Sequence, residues 1–256
     1  MKRSHLIALA VTAGIAASAL STAGCTTTGP GTPTRATSPG ATASASSTTQ
    51  PAAQGQSVCT DLGGNVGPDQ ACHVQSATST YSIDMSFPLD YPDMRAVTDF
   101  LKQDRDSFLD WVAKFGPSEK RGRPYLFAVT ATTYRSGTPE SGTQSLVLTI
   151  DNDTGLAHQG HPNTTYKAFN FDLGKRAPIT FDTLFKAGTK PLDVLNPIVR
   201  RELHAPSADL DEQKYQNFAI TDDAVIFFFG QDQVVPDNGG GHDVTVPRTE
   251  LASLLA

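Results

Sequence analysis

The side chains of this 256-residue chain that can act as nucleophiles, bases or ligands are few and scattered. Cysteines stand at 25, 59 and 72; Ser136, Ser141 and Ser145 lie in or beside a glycine-rich turn; His158, His161, His204 and His242 lie in polar loops. An α/β serine hydrolase holds its nucleophile on a tight turn, where Gly-x-Ser-x-Gly spacing keeps side chains out of the way, and that pattern is absent. A triad drawn from loop serines and histidines stays open, with solvated hydroxyls as the plainer reading. His158 and His161 are three apart beside Gly160 and Pro162, a spacing that can share a metal in a turn. Such a site needs a third ligand, and His242-Asp243 is remote, so exposed loop histidines are the expectation. Asp151, Asn152 and Asp153 lack the spaced series and distant glutamate of a calcium loop, and they read as turn, as do Asp222 and Asp223. Phe227 to Phe229 read as core rather than as the lining of a groove. No catalytic, metal or cofactor-binding residue is assigned.

The cysteines say more. Lys2 and Arg3 precede an uncharged run from Leu6 to Leu20, about the length of a signal-peptide core and too short to span a bilayer comfortably. Cys25 follows Ser21-Thr22-Ala23-Gly24. Small residues beside the cysteine fit a bacterial lipoprotein signal, although Thr22 stands where an aliphatic residue is usual. Cys25 is thus expected to carry lipid, palmitate included; ordinary secretion with cleavage after Ala23 is the alternative. An odd thiol is a liability under oxidising conditions, and lipidation of Cys25 leaves an even pair. Between Cys59 and Cys72 the chain is rich in Gly, Asn, Asp and Pro, which let it double back, so a short-loop disulfide is expected; free thiols or a metal pair are the alternatives. Closing such a loop stabilises by about 3 kcal/mol in the chain-entropy model.

Residues 26–57 are almost all Thr, Ser, Ala, Gly, Pro and Gln, with Arg35 the only charge, and nothing there can build a core. The segment reads as a disordered tether with a reach on the order of 30 Å, and its hydroxyls permit O-linked sugars. The organisation expected is therefore a signal peptide (1–24), a lipidated cysteine and tether (25–57), and a single α+β domain (58–256). Without Lys2 and Arg3 the chain keeps 18 basic against 26 acidic residues, a net charge of −8, which disfavours nucleic acid and anionic membrane surfaces as electrostatic partners. The membrane is reached through the lipid anchor instead.

Within the domain, Tyr81, Ile83, Met85 and Phe87 alternate with polar residues as in a strand with one buried face. Met94, Val97, Leu101, Phe108, Val112 and Phe115 fall on one face of a long helix that starts near Pro92-Asp93 and stops at Gly116-Pro117. Strands over 124–134, 144–150 and 164–171 form an antiparallel meander. A helical stretch over 191–203 is expected to break near Asn196, because Pro197 lacks the donor a helix interior needs. Ala224 to Phe229 read as a strand covered on both faces, 243–246 as a short strand, and 248–255 as a closing helix.

The stretch Tyr215-Gln216-Asn217-Phe218-Ala219-Ile220-Thr221-Asp222-Asp223, running on to Phe229, resembles the RsiV-type extracytoplasmic domain, as do Thr180 to Phe185 and Val244 to Arg248. With Thr165 to Phe169, Asp90 to Asp93 and the Cys59/Cys72 pair, the likeness is to the mycobacterial secreted immunogenic antigens (MPT-sixty-four) within that family, over nearly all of 58–256. The resemblance implies an α+β fold, antiparallel sheet with a long amphipathic helix and shorter C-terminal helices, in an exported actinobacterial antigen of unknown function. The anti-sigma role of RsiV is not carried over, since no cytoplasmic segment precedes the apolar run. The reading is an envelope lipoprotein displaying a non-catalytic binding domain toward a host protein, envelope protein or wall glycan, through loops at 136–142, 156–163 and 231–242. An ester hydrolase acting on lipids or acylated glycans, an activity proposed for similar mycobacterial proteins, is the second reading.

Overall fold

Strands β1 (Asn65–Val66), β2 (Ala71–Ala77), β3 (Tyr81–Pro88), β4 (Tyr125–Ser136), β5 (Thr143–Asp153), β6 (Asn163–Asp172) and β7 (Ala177–Pro178) lie side by side in that order in one sheet. The computed structural model describes residues 51–117, 122–154, 162–236 and 240–256, and residues 51–55 by backbone alone. All of them belong to one compact unit, Ser47–Ala256. The leader, Cys25 and the tether up to residue 50 lie outside the described residues, as do His158 and His161.

The fold is α+β and the sheet mostly antiparallel, but β3 and β4 run parallel, from Tyr81 opposite Tyr125 to Met85 opposite Val129. A parallel pair needs a crossover, and α2 (Met94–Phe115) supplies it. Asp93 caps this helix by accepting the N–H of Ala96, and Gly116 ends it at a φ of 66°, where a side chain is disfavoured. Its apolar stripe of Val97, Leu101, Phe108 and Val112 is buried against Ile83, Met85, Phe87, Phe127, Val129, Leu146, Leu148 and Ile150. Phe108 stacks on Phe127 with ring centroids 5.4 Å apart.

A helix that composition did not announce, α1 (Pro51–Asp61), begins inside the stretch expected to be tether. Tertiary contacts explain its end. Cys59 is joined to Cys72 in β2 by a disulfide, with Cα atoms 5.5 Å apart. Leu62 is buried beside it, and its carbonyl accepts from the Arg105 guanidinium of α2 at 2.9 Å. Gly64 fits beneath the crosslink, where a Cβ would lie 2.7 Å from the His73 carbonyl and 3.0 Å from the Cys59 sulfur.

A second layer covers part of the sheet's other face. It contains β8 (Phe218–Ile220), β9 (Ala224–Phe229) and β10 (His242–Pro247), ordered β10-β9-β8, with α3 (Phe181–Leu184), α4 (Pro191–Glu202), a 3-10 turn (Glu212–Tyr215) and α5 (Arg248–Leu251). β9 is covered on both faces. Phe228 meets Tyr134 and Tyr166 of the large sheet, while Val225, Phe227 and Phe229 pack with Leu195, Val199 and Tyr215. Two helical expectations are corrected. α4 continues through Pro197, because Asn196 does not cap a new helix: its side chain donates to Leu210 O at 3.0 Å and accepts from the buried Tyr215 hydroxyl at 2.7 Å. The closing helix ends at Leu251 rather than Leu255, because Leu255 forms a β-bridge with Phe185.

Candidate functional site

Strand register arranges the inner face of the large sheet in rows, and each row has its own task. Side chains paired across neighbouring strands stand on the same face. Thr132, Val147 and Ala168 form one such row; Val147 and Ala168 pack with Ala219, Phe228 and Ile226 in an apolar contact between the sheets. In the next row, Ser145 Oγ accepts the Ile220 N–H at 3.0 Å and Asn170 Nδ2 donates to Phe218 O at 2.8 Å. Beside them Asn217 Oδ1 accepts the Ala168 N–H at 3.0 Å. These bonds stitch β8 to the large sheet.

The following row is Ser136, Thr143 and Asp172, and here the sheets part around a pocket of about 320 Å³. Thr143 and Asp172 line it together with Ile179, Leu184, Ile220 and Arg248. Its size is at the small end of ligand sites, and its walls have the usual mix of apolar side chains and a few polar groups. Arg248 Nη1 donates to Ser136 Oγ at 3.1 Å and to Thr221 O at 3.3 Å. Among the described residues no carboxylate lies within ion-pair distance of this half-buried guanidinium, whose Nε and Nη2 have no partner. Asp222 is near, but its Oδ1 accepts the Gly137 N–H at 2.7 Å. That bond, the Ser136 hydroxyl and the Arg248 charge hold its carboxyl below the ordinary range. Thr143 Oγ1 is buried without a hydrogen-bond partner. Asp172 is occupied, accepting the Lys175 N–H at 2.8 Å and facing its ammonium at 3.5 Å.

A second cluster, missed in the sequence, lies on the part of the same sheet face near its β1–β3 edge. His73 Nε2 meets both oxygens of Asp69, at 3.0 and 3.1 Å. This bond, followed by the Ala71 N–H, lowers the Asp69 carboxyl below its usual range. Ser86 stands directly opposite His73 in the β2–β3 register, so the two side chains share a face. No hydrogen bond joins them. The i, i+4 spacing of Asp69 and His73 was legible, but without the strand pairing nothing linked Ser86 to it.

The serines and histidines singled out in the sequence do not converge among the described residues. Ser136 and Ser145 are buried and bonded as above, and Ser141 bonds Thr138 within its turn at 3.0 Å. His204 sits past the end of α4 at a φ of 53°, its Nδ1 bonded to Arg201 O. His242 begins β10, with Nε2 buried and unpartnered. Asp151 accepts from Thr164, Asp153 pairs with Arg123 at 2.8 Å, and Asp223 O accepts the Arg248 N–H. Among the described residues no group of three or more His, Cys, Asp or Glu side chains is placed to hold a metal. Two candidate contact loops touch the rest of the domain at described residues. The 136–142 turn is tied to the second layer through Asp222, and Gly241 packs so tightly on Tyr166 that a Cβ would lie 2.4 Å from the ring. The loop at 156–163 falls almost wholly outside the described residues.

The chain is 45% identical over 213 residues to Esterase Rv3036c of Mycobacterium tuberculosis, spanning 80% of this chain and 91% of that protein. It is 42% identical over 207 residues to Immunogenic protein MPT64 of the same organism, spanning 77% of this chain and 88% of that one. It belongs to the MPT64 family. Residues 182–249 also match the family described as Protein of unknown function (DUF3298). A crystal structure of a DUF3298 family protein from Pseudomonas aeruginosa PAO1 superposes with a TM-score of 0.50 at 11% identity, covering 73% of this chain and 92% of that one, a likeness of fold. The matched segment holds all but the first residue of α3, with β8, β9 and Arg248, so it contributes one wall of the inter-sheet pocket of this MPT64-family chain.

Proposed function

We propose that this chain is an exported envelope lipoprotein of the MPT64 family whose domain works by binding, with the pocket between its sheets as the recognition site. The observation that carries this reading is Arg248: a half-buried cation with unused donors on the wall of a small pocket of mixed apolar and polar lining, Lys175 among it. Guanidinium donors left open beside a pocket are satisfied best by an anionic ligand, which adds charge to the hydrogen bonds. Export and lipidation rest on the leader and on Cys25, with anchorage on the outer face of the cytoplasmic membrane and a partner that is an envelope protein, host protein or wall glycan rather than nucleic acid. The anchor is tested by detergent partition. The mature protein is expected in the detergent phase with diacylglyceryl mass at Cys25, and Cys25→Ala in the medium; unchanged membrane association of that variant overturns it.

A second reading, ester hydrolysis, is favoured by the name of the relative called an esterase and by the Asp69–His73 pair facing Ser86. The two readings part on turnover of short acyl esters. Binding predicts no saturable hydrolysis by the purified chain, and hydrolysis predicts saturable turnover that Ser86→Ala or His73→Asn abolishes.

A further inference from the structure

We propose that the inter-sheet pocket binds small aliphatic carboxylates, with Arg248 clamping the carboxylate and Ile179, Leu184, Ile220 and Leu255 taking the chain. This deepens the binding reading above and rests on it. The Arg248 guanidinium spends one nitrogen on Ser136 and Thr221 and keeps Nε and Nη2, the two adjacent donors that match a carboxylate side by side. A lone ammonium would not impose that geometry; a guanidinium does. Thr143, whose Oγ1 is buried with no partner among the described residues, lines the same wall. Among the described residues, Asp172 is held by Lys175, and Asp222, though it feels the Arg248 charge, is held by the Gly137 N–H and lies beyond ion-pair distance. Ala256, which also lines the pocket, is held by its N–H on Leu184 O. A volume of about 320 Å³ suits a short chain rather than a long-chain fatty acid.

The test is calorimetric titration of the exported chain carrying Cys25→Ala, which leaves every described residue unchanged. The probes are sodium salts of the acids from acetate to octanoate, with hexanol and hexylamine as controls. Saturable binding is expected to strengthen with chain length up to a limit set by the pocket, and hexanol and hexylamine are expected to bind at least about tenfold more weakly than hexanoate. Arg248→Met should weaken hexanoate about tenfold or more, with Arg248→Lys between it and the parent. Ala177→Leu, which places a larger side chain on the pocket wall and keeps Arg248, should also abolish binding; it decides the matter if Arg248→Met fails to fold. The proposal is overturned if no carboxylate binds saturably, if hexanol matches hexanoate, or if Arg248→Met or Ala177→Leu folds and keeps the parent affinity. Those results leave the wider binding reading standing, which ester turnover alone refutes.

Discussion

Replacing Ser145 by alanine separates a structural serine from a chemical one. Ser145 is fully buried in β5, and its Oγ is the partner of the Ile220 N–H in β8, one of the bonds that hold the second layer to the large sheet. Alanine fits the space with little loss of packing, so the cost is that of a buried amide left without an acceptor, about 1–3 kcal/mol. For a domain of this size each kcal/mol is worth about 2–4 °C, so with a central cost of about 2 kcal/mol the midpoint should fall by roughly 4–8 °C. Ser141→Ala is the control, since Ser141 is exposed and bonds only within its turn; its midpoint should move by no more than about 0.5 kcal/mol's worth. Calorimetry gives the midpoints, and hydrogen exchange at Ile220 should speed up in Ser145→Ala ahead of amides in β3. An unchanged midpoint, or a fall without a change at Ile220, would refute the assignment of this bond as a stitch between the sheets.

Two other perturbations test the same picture. Replacing both Cys59 and Cys72 by serine should cost about 3 kcal/mol and expose the end of α1 to proteolysis, read by thermal unfolding and limited digestion; unchanged stability would contradict the crosslink's role. Glu212 lies beside the Asp182 carboxylate, which raises its carboxyl above the ordinary range. A raised carboxyl contributes stability that is present at acid pH and lost as pH rises through the folded value, so Glu212→Gln should be the more stable protein at neutral pH, and its advantage should shrink toward pH of about 4. A pH-independent gap between the two unfolding midpoints would contradict this.

Much of the fold was legible because single elements announce themselves locally. The alternation from Tyr81 to Phe87, the stripe from Met94 to Val112 and the apolar run from Ala224 to Phe229 each fixed an element and its buried face. The antiparallel meander of β4, β5 and β6 was read correctly, and the pairing of β3 with β4 went unread. A strand, a long helix and another strand in succession are the pattern of a parallel crossover, and that signal lay in residues 81–136, but no partner was read from it for the 81–88 strand. The site was less legible, for a related reason. Arg248 matters through the Ser136 and Thr221 atoms it meets, 112 and 27 positions away, and no spacing rule reaches that far. Pro197 shows the reverse failure, a sound local rule overridden when Asn196 finds partners in Leu210 and Tyr215.

The claim that the domain binds rather than turns over esters is tested most directly by exposing the purified chain to a fluorophosphonate, which reacts only with an activated serine, and weighing it intact. The account predicts an unmodified mass for the parent and for Ser86→Ala alike. A stoichiometric adduct on the parent that disappears in Ser86→Ala would contradict it and establish the hydrolase in its place.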